Sequence, residues 1–393
     1  MKTVYLALML LLIVTAAHAD ATGALAGKSM TLSPGHGLVW NGKEYGAQRP
    51  ITCNGNLRCE DDRNVEHAAW LETYLRNDGM TVHTMRCTDK NYGDHPSGNP
   101  WWRMCSVYWL EHKGYPCTVW GSASDCENSS GESEWNDDIR ARPLASNVDK
   151  TDIYISLHTN ASSGHCEGTN CPTGSVMYYD CGRSHSAWCD GSRMLAQVTN
   201  AAMIDAIHHG IPMPEWRDRG IADSNGRFGE IRIPERPAVL LELGFHDSCD
   251  TDVLNLKDNF FRCAAMWGLY KGVCDYFGVA PTWDFYSDEL VSHTIPTSMK
   301  PGETKSVSIT FRNMGVLWNE ERGFKLGALG GSDPFADALY QDVEAEVGPS
   351  GEVTFTFDLT APKEPGFYAS GWQMLREGGP WFGDKCVSAV RVR

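Results

Sequence analysis

"RPAVLLELGFHD", residues 236–247, is the stretch on which the reading of this chain turns. Val239, Leu240, Leu241 and Leu243 make an apolar run of strand length, and Glu242 stands among them. An ionised carboxylate withdrawn from water is costly unless it is paired, hydrogen-bonded or beside a cation. A buried strand that keeps one needs a chemical reason to do so.

Working outward, strand-like and helix-like stretches alternate from about Lys28 to Phe277, the pattern of an α/β domain with a mostly parallel sheet. "SMTLSPGHG" is a short strand running into a turn. "NVEHAAWLETYLRNDG" sets Val65, Ala68, Leu71 and Leu75 on one helical face, with Gly79 as the stop. "TDIYISLHTNAS" is a further strand, "RMLAQVTNAAMIDAIHHG" an amphipathic helix closed by Gly210, and "NFFRCAAMWGLYKGVCDYF" a closing helix. At "GVAPTW", residues 278–283, helical periodicity stops. Beyond it, alternating runs such as "KSVSITFRN" and "EVTFTFDLTA" between Gly/Pro turns predict a β-sandwich. The expected organisation is a catalytic domain over 28–278, a linker over 279–284 and a sandwich over 285–393. A Cys- and Trp-rich insertion, about 90–136, holds Trp101, Trp102, Trp109, Trp120 and Trp135. It reads as a stapled loop burying its own tryptophans, the other reading being the wall of a sugar groove.

"MKTVYLALMLLLIVTAAHA", residues 1–19, has one Lys, an apolar run and a small-x-small end, as an export signal does; a retained anchor is the other reading. The expected location is periplasmic or extracellular. A net charge of −16 argues against nucleic acid and anionic membrane surfaces as partners. All 14 cysteines follow the signal and none forms C-x-x-C, so disulfides are expected. Cys386 alone lies beyond Cys274. Complete pairing would therefore bridge the two domains, and otherwise at least two thiols stay free.

His36 in "SPGHG" and His158 in "ISLHTNA" stand at strand ends, where a parallel sheet gathers side chains from distant positions into one crevice. Glu60, just before the next helix, can reach the same edge. Two imidazoles and one carboxylate match the three protein ligands of a catalytic zinc, with a fourth position open to water. Glu242, from a neighbouring strand, would then serve as general base and acid.

These residues lie in four blocks that resemble the zinc-dependent N-acetylmuramoyl-L-alanine amidases of bacterial cell-wall turnover. The blocks are "SPGHG", "EDDRNVEHAAWLETYLRNDG", "RPLASNVDKTDIYISLHTNAS" and "WRDRGIADSNGRFGEIRIPERPAVLLELGFHDS", spanning about Met30 to Phe277. The resemblance implies a sheet with helices on both faces and one Zn²⁺ held by His36, Glu60 and His158. It further implies Glu242 as the catalytic residue and peptidoglycan as substrate, cut between N-acetylmuramic acid and L-alanine. Glu66 is a rival to Glu60, but it falls where the family carries a small or apolar residue. Ser33 replaces the family's usual Asp, and His246 and Asp247 stand where an Asn is common. His165, His185, His208 and His209 read as ordinary polar residues.

"LWNEERGFKLGALGGSDPF", "VTFTFDLTAPKEPGFYASGWQM" and "GGPWFGDKCVSAVRV" resemble the immunoglobulin-like four-tryptophan domain, which implies a targeting or spacer module. Trp318, Trp372 and Trp381 are expected to face its core. A catalytically silent wall-binding or adhesion protein is the competing reading of the whole.

Overall fold

The computed structural model describes residues 23–55, 60–121, 132–162, 164–168 and 170–393. The export segment expected over residues 1–19 lies outside them, as do Cys59 and Cys126. Among the described residues no helix is long and apolar enough to cross a membrane.

A six-stranded sheet runs in the order Thr81–Thr84, Ser29–Pro34, Ile153–Asn160, Ala238–Phe245, Ser175–Tyr179 and Asp218–Asp223. Every neighbouring pair is parallel except Ala238–Phe245 against Ser175–Tyr179. The fold is the α/β class that the alternation predicts, with helices on both faces and a β-sandwich after it.

Strand alternation divides the sheet into two unlike faces. Met30, Leu32, Ile153, Ile155, Leu157, Val239, Leu241 and Leu243 point into the main core. There they meet Leu71 and Leu75 of helix Glu60–Asn77, Leu195 and Met203 of helix Cys189–Asp205, and Phe261 and Leu269 of helix Asn259–Phe277. The intervening residues, Thr31, Ser33, Tyr154, Ser156, His158, Leu240 and Glu242, take the other face. Helices Glu132–Asp149 and Gly229–Arg232 cover it with a smaller apolar cluster around Ile231. The run around Glu242 is therefore an alternating strand whose second face is also partly covered, so Leu240 and Glu242 share a side.

The insertion is more ordered than a stapled loop. It contains short helices at Ser106–His112 and Cys117–Trp120, and Trp101 and Trp109 are buried in their own cluster. Cys117 is disulfide-bonded, whereas Cys105 is a free, buried thiol. Bridges join Cys53 to Cys249, Cys166 to Cys171 and Cys181 to Cys189. Cys87, Cys263, Cys274 and Cys386 are also free, so of the two outcomes left open by the cysteine count it is the one with free thiols that holds, and no bridge reaches Cys386.

The C-terminal sandwich packs a five-stranded sheet on a three-stranded one. Trp318 and Trp372 are fully buried in it, but Trp381 is 39 % exposed, so the inward expectation fails for that ring. This sandwich is no detached spacer. Phe260 on helix Asn259–Phe277 meets Phe324 at 5.9 Å, Trp267 meets Phe285 at 5.1 Å, and Tyr74 donates a hydrogen bond to the Gly315 carbonyl at 3.0 Å. Arg322 pairs with Asp258, and both units contribute to one continuous apolar cluster.

Candidate metal and catalytic site

His36, Glu60 and His158 meet at the carboxyl edge of the sheet, and each offers a donor atom within 4.8 Å of the others. Local sequence explains the approach. Gly35 lies against the His158 ring so closely that an added Cβ would sit 2.1 Å from it. His36 itself has φ of 64°, in the left-handed region that is strained for a residue with a Cβ and tolerated where surrounding structure enforces it. Glu60 opens helix Glu60–Asn77, and His158 is the third residue from the end of its strand.

One donor separation matches that around a small tetrahedral cation. Ligands about 2.0–2.1 Å from a tetrahedral ion lie roughly 3.4 Å apart, and His36 Nε2 is 3.4 Å from Glu60 Oε1. His158 Nδ1 is closer, 2.7 Å from Glu60 Oε1. Burial pushes the Glu60 carboxyl up, but the two imidazoles outweigh it and hold the group well below the usual carboxylate range. Two nitrogens and a carboxylate oxygen in an open cleft are the donor chemistry of a catalytic zinc.

Glu242 is in register with His158 on the adjacent strand and lines the same cleft. Its Oε2 is shut from solvent and has no hydrogen-bond partner among the described residues. Burial raises its pKa to about 8, with His158 opposing and Glu60 and Glu230 adding to the rise. An enclosed, unpartnered carboxylate oxygen is what a proton-transfer group awaiting a water or substrate looks like.

Four residues behind the histidines escape the sequence reading. His158 Nε2 donates to Glu230 at 2.9 Å, and Glu230 is ion-paired with the fully buried Arg142. Arg142 also reaches Asp138 at 3.3 Å, Asp138 accepts from Gln48 Nε2 at 3.0 Å, and Gln48 Oε1 lies 3.2 Å from His36 Nδ1. A closed circuit of buried polar groups thus ties the back of one imidazole to the back of the other. Burial raises Glu230, but Arg142 and then His158 bring its pKa down to about 2. Burial lowers His158, but Glu230 and Glu60 lift it to about 10. The one sequence signal for this circuit was the presence of Arg142 and Glu230 inside the matched blocks.

Glu66 faces away from the site, bound by Arg63, Lys90 and Arg262. His246 lines the cleft, its Nδ1 3.0 Å from the Thr159 hydroxyl, whereas Asp247 accepts backbone N–H bonds from Ser162 and Gly164. His185 and His208 are engaged by Ser192 and the Trp216 carbonyl. His165 pairs with Glu167 on the surface and adjoins the Cys53–Cys249 bridge, whose sulfurs are already committed to each other. That bridge and a hydrogen bond from Thr52 to the His246 carbonyl fasten the segment before Glu60 to the segment after Glu242.

The cleft encloses about 610 Å³. Beyond the donors its wall comes from helix Glu132–Asp149, through Ile139 and Arg140, and from helix Gly229–Arg232 and the residues flanking it, through Arg227, Phe228, Arg232 and Ile233.

Comparison with known proteins places this geometry in context. Residues 30–275 match the N-acetylmuramoyl-L-alanine amidase family, and residues 294–392 match the Ig-like domain from next to BRCA1 gene. An uncharacterized cell wall amidase of Bacillus anthracis is 30% identical over 142 residues, which is 36% of this chain and 24% of that relative. The match thus spans about a quarter of that protein's length. Among solved structures, the N-acetylmuramoyl-L-alanine amidase of Clostridium difficile 630 is 19% identical, covering 64% of this chain and 96% of its own, with a TM-score of 0.41. AmiC2 of Nostoc punctiforme is 15% identical over 65% of this chain and 98% of its own, with a TM-score of 0.39.

Proposed function

We propose, on the premise that this chain belongs to the N-acetylmuramoyl-L-alanine amidase family, that it is an exported zinc hydrolase. On this reading it cleaves the amide between the lactyl group of N-acetylmuramic acid and the L-alanine of the peptidoglycan stem. The observation that carries the reading is the alignment of Glu242 beside His158, with an unpartnered carboxylate oxygen on a residue that lines the same cleft as the three donors.

His36, Glu60 and His158 would hold the ion. Zinc, when bound, polarises an amide carbonyl and makes water acidic near neutral pH. Glu242 takes the proton from the attacking water as its oxygen bonds to the lactyl carbon, then returns it to the alanine nitrogen as the C–N bond breaks. The products are a muramoyl carboxylate and a stem with a free L-alanine amine. Glu230 and Gln48 act behind the donors. Each accepts a hydrogen bond from the imidazole nitrogen facing away from the cluster, which fixes ring orientation and tautomer. Burial of Arg142 between Glu230 and Asp138 keeps that circuit rigid.

Mass spectrometry of digested sacculi tests the reading. Free L-alanine amino termini are expected with zinc present and absent after chelation. Their appearance in metal-free digests, or their absence from zinc-loaded ones, would overturn it.

A further inference from the structure

The cleft carries charge of the wrong sign for this chain. Asp and Glu outnumber Lys and Arg by 50 to 34, and several arginines elsewhere have carboxylate partners, such as Arg63 and Arg262 with Glu66 or Arg312 with Glu289. Two exposed arginines of the cleft wall have none. The exposed Arg232 donates to the Gly226 carbonyl at 2.8 Å, and the exposed Arg227 lies over Phe228 at 5.8 Å. Among the described residues neither has a carboxylate within ion-pair distance. Arg140, on the facing helix, reaches Asp137 only at 3.9 Å. Of the acids inside the cleft, Glu60 is engaged by the imidazoles and Arg49, and Glu230 by Arg142 and His158, which leaves Glu242 as the one without an ion pair.

The same wall also carries the apolar side chains of Ile139, Phe228 and Ile233. Guanidinium pairs recognise carboxylates with directional hydrogen bonds. The amide proposed to be cut joins two unlike halves: a glycan whose lactyl carboxyl is consumed in the bond, and a peptide that carries free carboxylates beyond its first residue. A cationic, partly apolar wall complements the second half.

We propose that Arg227 and Arg232, with Arg140 opposite, form a subsite for the carboxylates of an acidic stem peptide, and that this wall is the peptide side of the cleft. The proposal rests on the amidase reading above for the identity of the peptide. Its energetic content is selectivity for anionic over amidated stems, which salt should weaken.

The test uses the zinc-loaded full chain carrying Glu242→Gln, so that binding is read without turnover. The probes are a muramoyl tripeptide with free side-chain and terminal carboxylates and the same compound fully amidated. Calorimetry at low salt should give a preference for the free acid of about tenfold or more. Arg227→Ala with Arg232→Ala should erase that preference while leaving affinity for the amidated compound and the melting temperature unchanged. Equal affinity for both compounds, no binding of either, or a preference that survives the double substitution would overturn the proposal. Turnover is scored separately with Glu242 intact. A zinc-loaded chain that leaves both compounds uncut, yet shows the arginine-dependent preference, would sink the amidase reading and leave the subsite standing.

Discussion

The same three strands, Ser29–Pro34, Ile153–Asn160 and Ala238–Phe245, build two faces of opposite character. One face is a continuous apolar layer under three long helices, extended by the sandwich into a single core. The other, one residue out of phase, carries Thr31, Ser33, Ser156, His158 and Glu242 beneath a thinner cover. The comparison teaches that the sheet separates stability from chemistry by side-chain parity. A residue and its immediate neighbour in sequence can then be expected to fail in different ways when replaced.

The largest effect should come from Glu242→Gln. It keeps size and packing but removes the proton acceptor, so turnover should fall by about 10²–10⁴-fold. The melting temperature should stay put or rise, since burial disfavours the ionised form. Parallel measurement of hydrolysis and thermal unfolding checks both halves, and substantial residual activity would break the parity rule. Its neighbour Leu241 is the converse. Leu241→Ala opens a cavity in the main core and should cost about 2–5 kcal/mol in denaturant unfolding, with zinc affinity retained in the molecules still folded.

Glu230→Gln sharpens the comparison within the polar face. An accepting oxygen remains, but the charge paired with Arg142 is lost, and zinc affinity should drop about 10–100-fold by competition with a chelating dye. An unaltered affinity would show that the circuit behind the histidines is structural only. The smallest effect concerns the sandwich that backs the apolar face. Burial pushes Asp288 up to about 7, against the opposing hydrogen bond that it accepts from the Asp384 backbone N–H. A carboxyl whose folded pKa is raised stabilises fully below its unfolded pKa, near 3.8, and that contribution is lost as pH rises through 7. Asp288→Asn should therefore raise the melting temperature over the parent increasingly between those values and by a constant amount above. The shift should appear in one transition for the whole chain if both units share a core. Two separated transitions would contradict that.

How much of this was legible in the sequence depended on whether the signal was local. His36, His158 and Glu242 each sit in a recognisable strand-end context, and Glu60 opens a helix that its own apolar spacing announces. Alternation around Glu242 was hidden because Leu240 is buried on the polar face too, so the run reads as uniformly apolar. Gln48, Asp138, Arg142 and Glu230 were invisible as a group. Their partners are as much as 90 residues apart, as for Gln48 and Asp138, and no spacing rule links them. Cysteine parity allowed free thiols but could not choose them. Burial of Cys105, Cys263 and Cys274 in apolar clusters did that. The docked sandwich was missed for a similar reason, since Phe260 and Trp267 look like ordinary face residues of a closing helix.

Docking through helix Asn259–Phe277 has a directional consequence. The sandwich packs on the helices that cover the apolar face, and the cleft opens on the polar one, so the two lie on opposite sides of the sheet. A ligand gripped by the rear unit would be held on the far side of the sheet from the cleft. Anchorage and scission would then fall on different strands of a meshwork, with the enzyme lodged between them.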